Sequence, residues 1–383
     1  MNPIRMSAAL GAVACLLAAT PAARAAMPTI DTTARNAYVI DFNTGAVLLD
    51  KNGEDRIAPA SMSKLMTEYI VFSYLKEGRV TLNDMLPVSE KAWRTQGSKM
   101  FVPLGGTVRL EDLLRGMIVQ SGNDACIVLA EGLAGSTEAF VKLMNDKARE
   151  LGMTGSHFAN VDGLPDPDEY MTARDLAILA QHLIKDFPEY YHYDSEKEFT
   201  FNNIKQGNRN PLLYTDSTVD GLKTGHTDQA GYCLAASALR DGRRIIEVLA
   251  GMSSMQARAD QGRTVLEWAF REFGDYTIAK AGAVIDHAPV WLGQEAQVPV
   301  AVAHDMVITL PRGDRSDLKV AAVYDGPAPA PVKAGQAIGK LTATAPDVAP
   351  IEVPVVATQA VEPLSAFGRM AFNAAYLLFG RHN

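Results

Sequence analysis

Ser61 and Lys64 stand three residues apart in Ala58-Pro59-Ala60-Ser61-Met62-Ser63-Lys64. That spacing puts a hydroxyl and an amine on one face of a helix beginning at the serine, and a helix N-terminus there favours negative charge on the serine oxygen. Ser121-Gly122-Asn123 adds a second hydroxyl and a carboxamide, and Lys223-Thr224-Gly225 adds a second cation on an expected strand. Together these are the parts needed for acyl transfer through an acyl-serine, with Ser61 as nucleophile. A lysine acts as a base only when neutral, and burial beside Lys223 is expected to push Lys64 down toward working pH. Lys64 is therefore the expected general base for acylation.

Each motif alone says little, because Ser73-Tyr74-Leu75-Lys76 and Ser316-Asp317-Leu318-Lys319 repeat the serine–lysine spacing. Ser73 falls near the end of the helix that Ser61 begins, and Ser316 follows an exposed-looking Arg312-Gly313-Asp314-Arg315 turn, so both read as surface. The ordered set of three motifs carries the chemistry.

The secondary structure that holds these residues is legible in outline. Residues 37–49 read as a hairpin around Asn43-Thr44-Gly45, and a helix is expected over residues 61–76. Residues 110–133 alternate helical runs broken at Ser121-Gly122-Asn123, and residues 136–152 place Phe140, Leu143, Met144 and Ala148 at helical spacing. Residues 160–170, rich in Asp, Pro and Gly, read as a loop before a helix over residues 172–185 that Thr172 caps. A strand at Leu222 and a hairpin of residues 232–238 and 244–250 around Asp241-Gly242 complete an antiparallel sheet beside the helical lobe, an α+β arrangement. Beyond about Asp275 the pattern changes to short strands over residues 298–302, 306–310, 318–324 and 351–356, which predict a small all-β domain. Its Pro-rich stretch, residues 326–331, is expected to be a stiff loop.

The ends predict export. Met1 to Ala25 has a cationic Arg5, an apolar run over residues 8–19 and a small-residue Ala23-Arg24-Ala25 site, the layout of a cleaved signal peptide, with the mature chain starting near Ala26. The net charge of −8 becomes −10 once Arg5 and Arg24 are removed. Such an acidic chain, without basic runs interleaved with aromatics, argues against a nucleic-acid partner. Cys126 and Cys233 read as buried free thiols, and the absence of H-x-x-x-H and C-x-x-C patterns disfavours a zinc hydrolase, so no metal is assigned. At the other end, residues 364–380 put Leu364, Phe367, Ala371, Ala374, Ala375 and Leu378 on one side of a helical wheel and Ser365, Arg369, Asn373, Tyr376 and Gly380 on the other. At about 17 residues this is short for a span and suits a helix lying in a membrane interface. The expected organisation is a signal peptide (1–25), a catalytic domain (27–275), an all-β domain (276–362) and an amphipathic anchor (363–383).

The strings Ala58-Pro59-Ala60-Ser61-Met62-Ser63-Lys64-Leu65-Met66-Thr67, Gln120-Ser121-Gly122-Asn123-Asp124-Ala125 and Val219-Asp220-Gly221-Leu222-Lys223-Thr224-Gly225-His226-Thr227 resemble the low-molecular-mass penicillin-binding proteins, the serine D-Ala-D-Ala carboxypeptidases, from about residue 30 to the C-terminus. The resemblance implies a penicillin-binding, serine β-lactamase-like catalytic domain. It also implies removal of the terminal D-alanine from peptidoglycan stem pentapeptides without a cofactor, and covalent capture of β-lactams. By the same resemblance Ser121 relays a proton to the leaving amine, Asn123 orients Lys64 or the substrate amide, and the N–H groups of Ser61 and His226 form the oxyanion hole. Lys223, Thr224 and Gly225, with Arg258 and alternatively Arg209, take the terminal carboxylate. Ser63 stands where the family often has threonine. The loop acids Asp162, Asp166, Asp168 and Glu169 lack the E-x-x-x-N arrangement that holds a deacylating water in class A β-lactamases, so penicillin is expected to stay attached. Two rivals remain open, an endopeptidase cutting cross-links with the same motifs and a catalytically idle envelope protein. The chain is expected in the periplasm, peripherally attached to the inner membrane.

Overall fold

Strand alternation builds a central sheet buried on both faces. In the computed structural model, which describes residues 27–312, 318–345 and 348–379, strand β1 (Asn36–Asp41) is followed by β2 (Val47–Lys51). A 3-10 turn (Ala60–Ser63) leads into α1 (Lys64–Lys76), and α2 (Leu110–Gln120), α3 (Asn123–Ala134), α4 (Thr137–Glu150) and α5 (Ala173–Asp186) complete the helical lobe. Strands β3 (Val219–Thr227), β4 (Gly231–Arg240) and β5 (Arg243–Met252) then precede α6 (Met255–Glu272). The antiparallel order is β2-β1-β5-β4-β3. Along β4, Cys233 and Ala235 join the core shared with α1 and α5, while Leu234, Ala236 and Ala238 join a second core with Val265, Leu266, Trp268 and Ala269 of α6. Helix α1 is therefore enclosed almost all round, from Lys64 to Phe72 without a break.

The elements expected around the motifs are present, with one change of geometry. Ser61 lies in the 3-10 turn and the α-helix starts at Lys64, preceded by Ala60 at φ +50°. Thr172 caps α5 by accepting from Asp175 N, as its sequence position implied.

Strand Phe273–Ala279 leaves α6 directly and pairs with Met306–Pro311, so it runs across the boundary expected at residue 275. The all-β domain has a six-stranded sheet in the order Lys319–Tyr324, Ala337–Ala345, Val348–Ala357, Gln297–Val302, Val284–Trp291, Ala328–Pro329. Four of its strands, Phe273–Ala279, Val284–Trp291, Ala328–Pro329 and Ala337–Ala345, were not expected; Gly, Asp, Pro and alternating Ala and Thr give them weak strand patterns. The Pro-rich stretch is partly ordered into the sheet, since Ala328–Pro329 runs parallel to Val290–Trp291. Arg243 fastens the two domains by donating to Asp41 at 2.8 Å and to the Phe273 carbonyl at 2.9 Å.

Helix α7 (Ala366–Phe379) projects from this domain with Phe367 80% and Leu377 84% exposed, and Phe372 meets the Trp291 ring edge-on at 5.0 Å. Among the described residues no helix is long and apolar enough to cross a membrane. The signal peptide expected over residues 1–25, Ser316 and the end of the chain from residue 380 lie outside the described residues.

Candidate active site

The 3-10 turn carrying Ser61 is pressed against β3 because two glycines leave room for it. A Cβ on Gly225 would lie 2.8 Å from the Pro59 carbonyl oxygen, and one on Gly163, whose φ is +75°, would lie 2.0 Å from the Ala60 carbonyl oxygen. The first close approach sets Lys223-Thr224-Gly225 beside Ser61. The second brings the loop of residues 159–170 in from the other side.

Lys64 is only 1% exposed. Its Nζ donates to Ser61 Oγ at 2.9 Å and to the Asp162 carbonyl. Burial is the main force holding its pKa below the ordinary lysine range; the Arg209 cation pushes the same way, while Cys126, Asp162 and Glu169 oppose it. Lys223, buried as deeply in β3, is held well below its ordinary value by burial first and then by Lys64 and Arg209. The like-charge repulsion expected to act on Lys64 is thus felt chiefly by Lys223, and Lys64 owes its shift to desolvation.

Ser121 sits between α2 and α3 in the left-handed conformation, φ +58°, and its buried Oγ has no hydrogen-bond partner among the described residues. Asn123 fixes the loop ahead of α2: its Nδ2 donates to the Gln96 carbonyl at 2.7 Å and its backbone N–H to the Ser98 carbonyl at 2.7 Å. Of the tasks expected for Asn123, contact with Lys64 is not made; Lys64 is held by Ser61 and Asp162 instead. Asp124 completes the fixation by accepting from Met100 N, Phe101 N and Val102 N at 2.8–3.1 Å. This role was not foreseen, although an acid in the first turn of a helix just after Ser-Gly-Asn was a readable cue.

Ser61, Ser98, Arg209, Thr224, Gly225, His226, Tyr232, Met255 and Arg258 line one cleft of about 480 Å³. Arg209 reaches it from an exposed position and donates to Ser98 Oγ at 2.5 Å. Arg258, buried on α6, donates to the Arg209 carbonyl at 3.3 Å and leaves its Nε without a partner among the described residues. The exposed His226 ring lies against Tyr232 with centroids 4.0 Å apart. One end of the cleft therefore has a hydroxyl with an amine behind it, and the other has two guanidinium groups, a chemistry suited to a carboxylate. A second cavity of about 390 Å³, between Val47, Phe273, Pro311 and Ile351, contains no titratable side chain.

Glu169 on the 159–170 loop is not free to hold water. Its Oε1 accepts from Ser63 Oγ, and its Oε2 accepts from Ala159 N at 2.6 Å and Asn160 N at 3.3 Å. The unforeseen members of this site are Asp162, acting through a backbone carbonyl, and the Ser63–Glu169 contact that holds the loop bearing it. Ser73 bonds its own helix, donating to the Tyr69 carbonyl at 2.9 Å, and Cys126 and Cys233 are buried free thiols, with burial pushing Cys126 up to about 12.

Residues 21–254 match the family model D-alanyl-D-alanine carboxypeptidase, and residues 273–363 match the C-terminal domain of penicillin-binding protein 5. D-alanyl-D-alanine carboxypeptidase DacC of Escherichia coli is 40% identical over 351 residues, 90% of this chain and 87% of that protein. D-alanyl-D-alanine carboxypeptidase DacA of Haemophilus influenzae is 41% identical over 315 residues, 81% of this chain and 80% of that protein. The crystal structure of penicillin binding protein 5 from Haemophilus influenzae superposes with a TM-score of 0.81 at 38% identity, covering 88% of this chain and 100% of that one.

Proposed function

The chain belongs to the D-alanyl-D-alanine carboxypeptidase family, and from that membership we infer that it removes the terminal D-alanine from peptidoglycan stem pentapeptides through an acyl-serine on Ser61. The observation that carries the assignment of the nucleophile is the 2.9 Å contact between Ser61 Oγ and the desolvated Lys64 Nζ, at the edge of a cleft whose far end holds Arg209 and Arg258.

In this reading neutral Lys64 takes the Ser61 proton as Oγ attacks the carbonyl of the penultimate residue, and the N–H groups of Ser61 and His226 receive the developing oxyanion. Each such donor is worth roughly 3 kcal/mol in hydrolases of this kind. Ser121, whose buried Oγ is otherwise unpartnered, passes a proton to the departing amine. Lys223, Thr224, Arg258 and Arg209 receive the terminal carboxylate, and Asn123 keeps the loop wall of the cleft in place. Water then releases the shortened peptide from Ser61. A β-lactam acylates the same oxygen, and because Glu169 is engaged by Ser63, Ala159 and Asn160, the adduct is long-lived.

A labelled penicillin separates Ser61 from the other serines. Wild type and Ser73→Ala should take up the label and Ser61→Ala should not, in parallel with turnover of a D-Ala-D-Ala peptide. A label retained by Ser61→Ala overturns the nucleophile.

Export to the periplasm and peripheral attachment to the membrane belong to the same proposal. The support is the exposure of Phe367, Met370, Leu377 and Leu378 on α7, where Met370 and Leu377 widen the apolar side of the wheel. Truncation after Val361 should abolish cosedimentation with vesicles and leave peptide hydrolysis intact; undiminished cosedimentation rejects the anchor.

A further inference from the structure

The buried stripe of α1 that carries the chemistry does not end at Lys64. Ser61, Lys64 and Glu68 follow one another at i, i+3 and i+7, and Glu68 is 1% exposed. Its neighbour across the lobe is Asp194, 0% exposed, in the 3-10 segment Tyr191–Ser195. The two carboxyl groups are within hydrogen-bond reach of each other. Glu68 Oε1 and both Asp194 oxygens receive no hydrogen bond from any other side chain or backbone N–H among the described residues. Two carboxyl groups in that position bond to one another only if a proton lies between them.

The pair sits beneath Lys223. Gly221 and Lys223 face Ser237 and Ala235, two residues apart on β4, and so share the face of β3 turned to the helical lobe. A Cβ on Gly221 would lie 3.3 Å from Asp194 Cβ, which fixes Asp194 against β3 one side-chain repeat from Lys223. The other charged groups around the pair are accounted for. Asp220 is held by both Arg244 guanidinium nitrogens at 2.7 Å and accepts from Tyr191 OH at 3.0 Å, so that anion is already matched. Lys64 is bonded to Ser61 and Asp162, Arg209 reaches Ser98, and Cys126 is a buried thiol.

We propose that Glu68 and Asp194 hold a single proton between them and present one buried negative charge to Lys223, acting as positioning residues that support the Lys223 proton against burial and against the neighbouring Lys64 and Arg209 cations. Burial and then the adjacent Asp194 raise Glu68 well above the carboxyl range, while burial pushes Asp194 up to about 7 against the hydrogen bond from Glu68. Glu68 is therefore the carrier of the proton. The proposal rests on the carboxypeptidase reading only for what Lys223 does with its charge.

Amide variants separate charge from shape. In Glu68→Gln or Asp194→Asn the remaining carboxyl ionises with the amide as its donor, so one charge persists; Glu68→Gln/Asp194→Asn removes it. The readout is the alkaline limb of kcat/KM for a peptide ending in D-Ala-D-Ala, which tracks loss of the Lys223 proton. Each single variant should keep that limb at its wild-type position. The double variant should move it about 1 to 3 pH units lower, the effect of losing an opposite charge at short range. An unshifted double variant, or single variants shifted as far as the double, overturns the shared proton. Infrared difference spectra at neutral pH do not need the double variant to fold: a protonated-carboxyl stretch of the wild type should vanish in either single variant, and its persistence in both refutes the proposal. The spectra report on the pair even if peptide turnover fails in wild type, so a failure of the carboxypeptidase reading is distinguishable from a failure of this one.

Discussion

Replacing Glu169 with alanine tests whether the loop of residues 159–170 holds the base in place. The substitution removes the acceptor of Ser63 Oγ, of Ala159 N at 2.6 Å and of Asn160 N at 3.3 Å. Burial raises the Glu169 carboxyl above its ordinary value while these three donors pull it down, so the contacts fall between neutral and fully charge-assisted bonds. Two full bonds and one weak one then amount to about 3 kcal/mol, at roughly 1 kcal/mol for a neutral bond and 1.5–3 for a charged one. For a catalytic domain of this size each kcal/mol is worth about 2–4 °C, so thermal unfolding should come about 6–12 °C lower. Thr67 Oγ1 still donates to the Val161 carbonyl at 2.8 Å, so the loop shifts rather than detaches. The Asp162 carbonyl on Lys64 moves with it, and a displacement of about 1 Å in a reacting group costs on the order of 100-fold. Stopped-flow acylation by a chromogenic β-lactam beside a melting curve measures both quantities, with Glu169→Gln, which keeps one acceptor, falling between. A lowered melting temperature with unchanged acylation refutes the claim that the loop positions Lys64. An unchanged melting temperature refutes the contacts themselves.

Lys64→Arg should slow acylation by at least about 100-fold, since arginine stays protonated and general-base catalysis contributes about that much; near-normal acylation would move the base elsewhere. Arg258→Ala should reduce kcat/KM for a peptide with a free terminal carboxylate about 10- to 100-fold more than for its amide, the loss of a charge-assisted hydrogen bond, and equal losses would reassign it to packing on α6. Glu247, buried on β5 with both oxygens unpartnered among the described residues, is held well above the carboxyl range by burial alone. Because its folded value is raised, its contribution is fully present below the ordinary carboxyl value of about 4.3 and is lost as pH climbs toward the folded value. Glu247→Gln should therefore melt progressively higher than wild type as pH rises, and a constant difference between pH 4 and 8 would contradict this.

What the sequence disclosed and what it withheld follow from which atoms do the work. In the proposed reaction Ser61, Lys64, Ser121, Asn123 and Lys223 act through side chains at fixed spacing, and spacing is visible in a one-dimensional string. The partner that holds Lys64 is a main-chain carbonyl of Asp162, and every residue has one, so nothing in the sequence singles it out. Glu169 was readable as an acid near the site but not as the clamp on Ser63, because that pairing joins residues 106 positions apart. The same limit applies to the β domain, where Phe273–Ala279 becomes a strand by pairing with Met306–Pro311, distant in sequence; Ala337–Ala345 pairs with the adjacent Val348–Ala357 and was hidden instead by its weak pattern of Ala, Gly and Thr.

Glu68 is the more instructive case. It is the single acid in Lys64-Leu65-Met66-Thr67-Glu68-Tyr69-Ile70-Val71-Phe72, a run too apolar on every side to show which face is buried. With no amphipathic stripe, its position relative to solvent cannot be read. In the fold Glu68 is 1% exposed, and a buried carboxylate needs a proton, a cation or a donor. The fold therefore poses the question of what compensates Glu68. It answers with Asp194, set against β3 where a Cβ on Gly221 would lie 3.3 Å from its own Cβ, so the charge of Lys223 rests on two carboxyl groups that do not line the cleft.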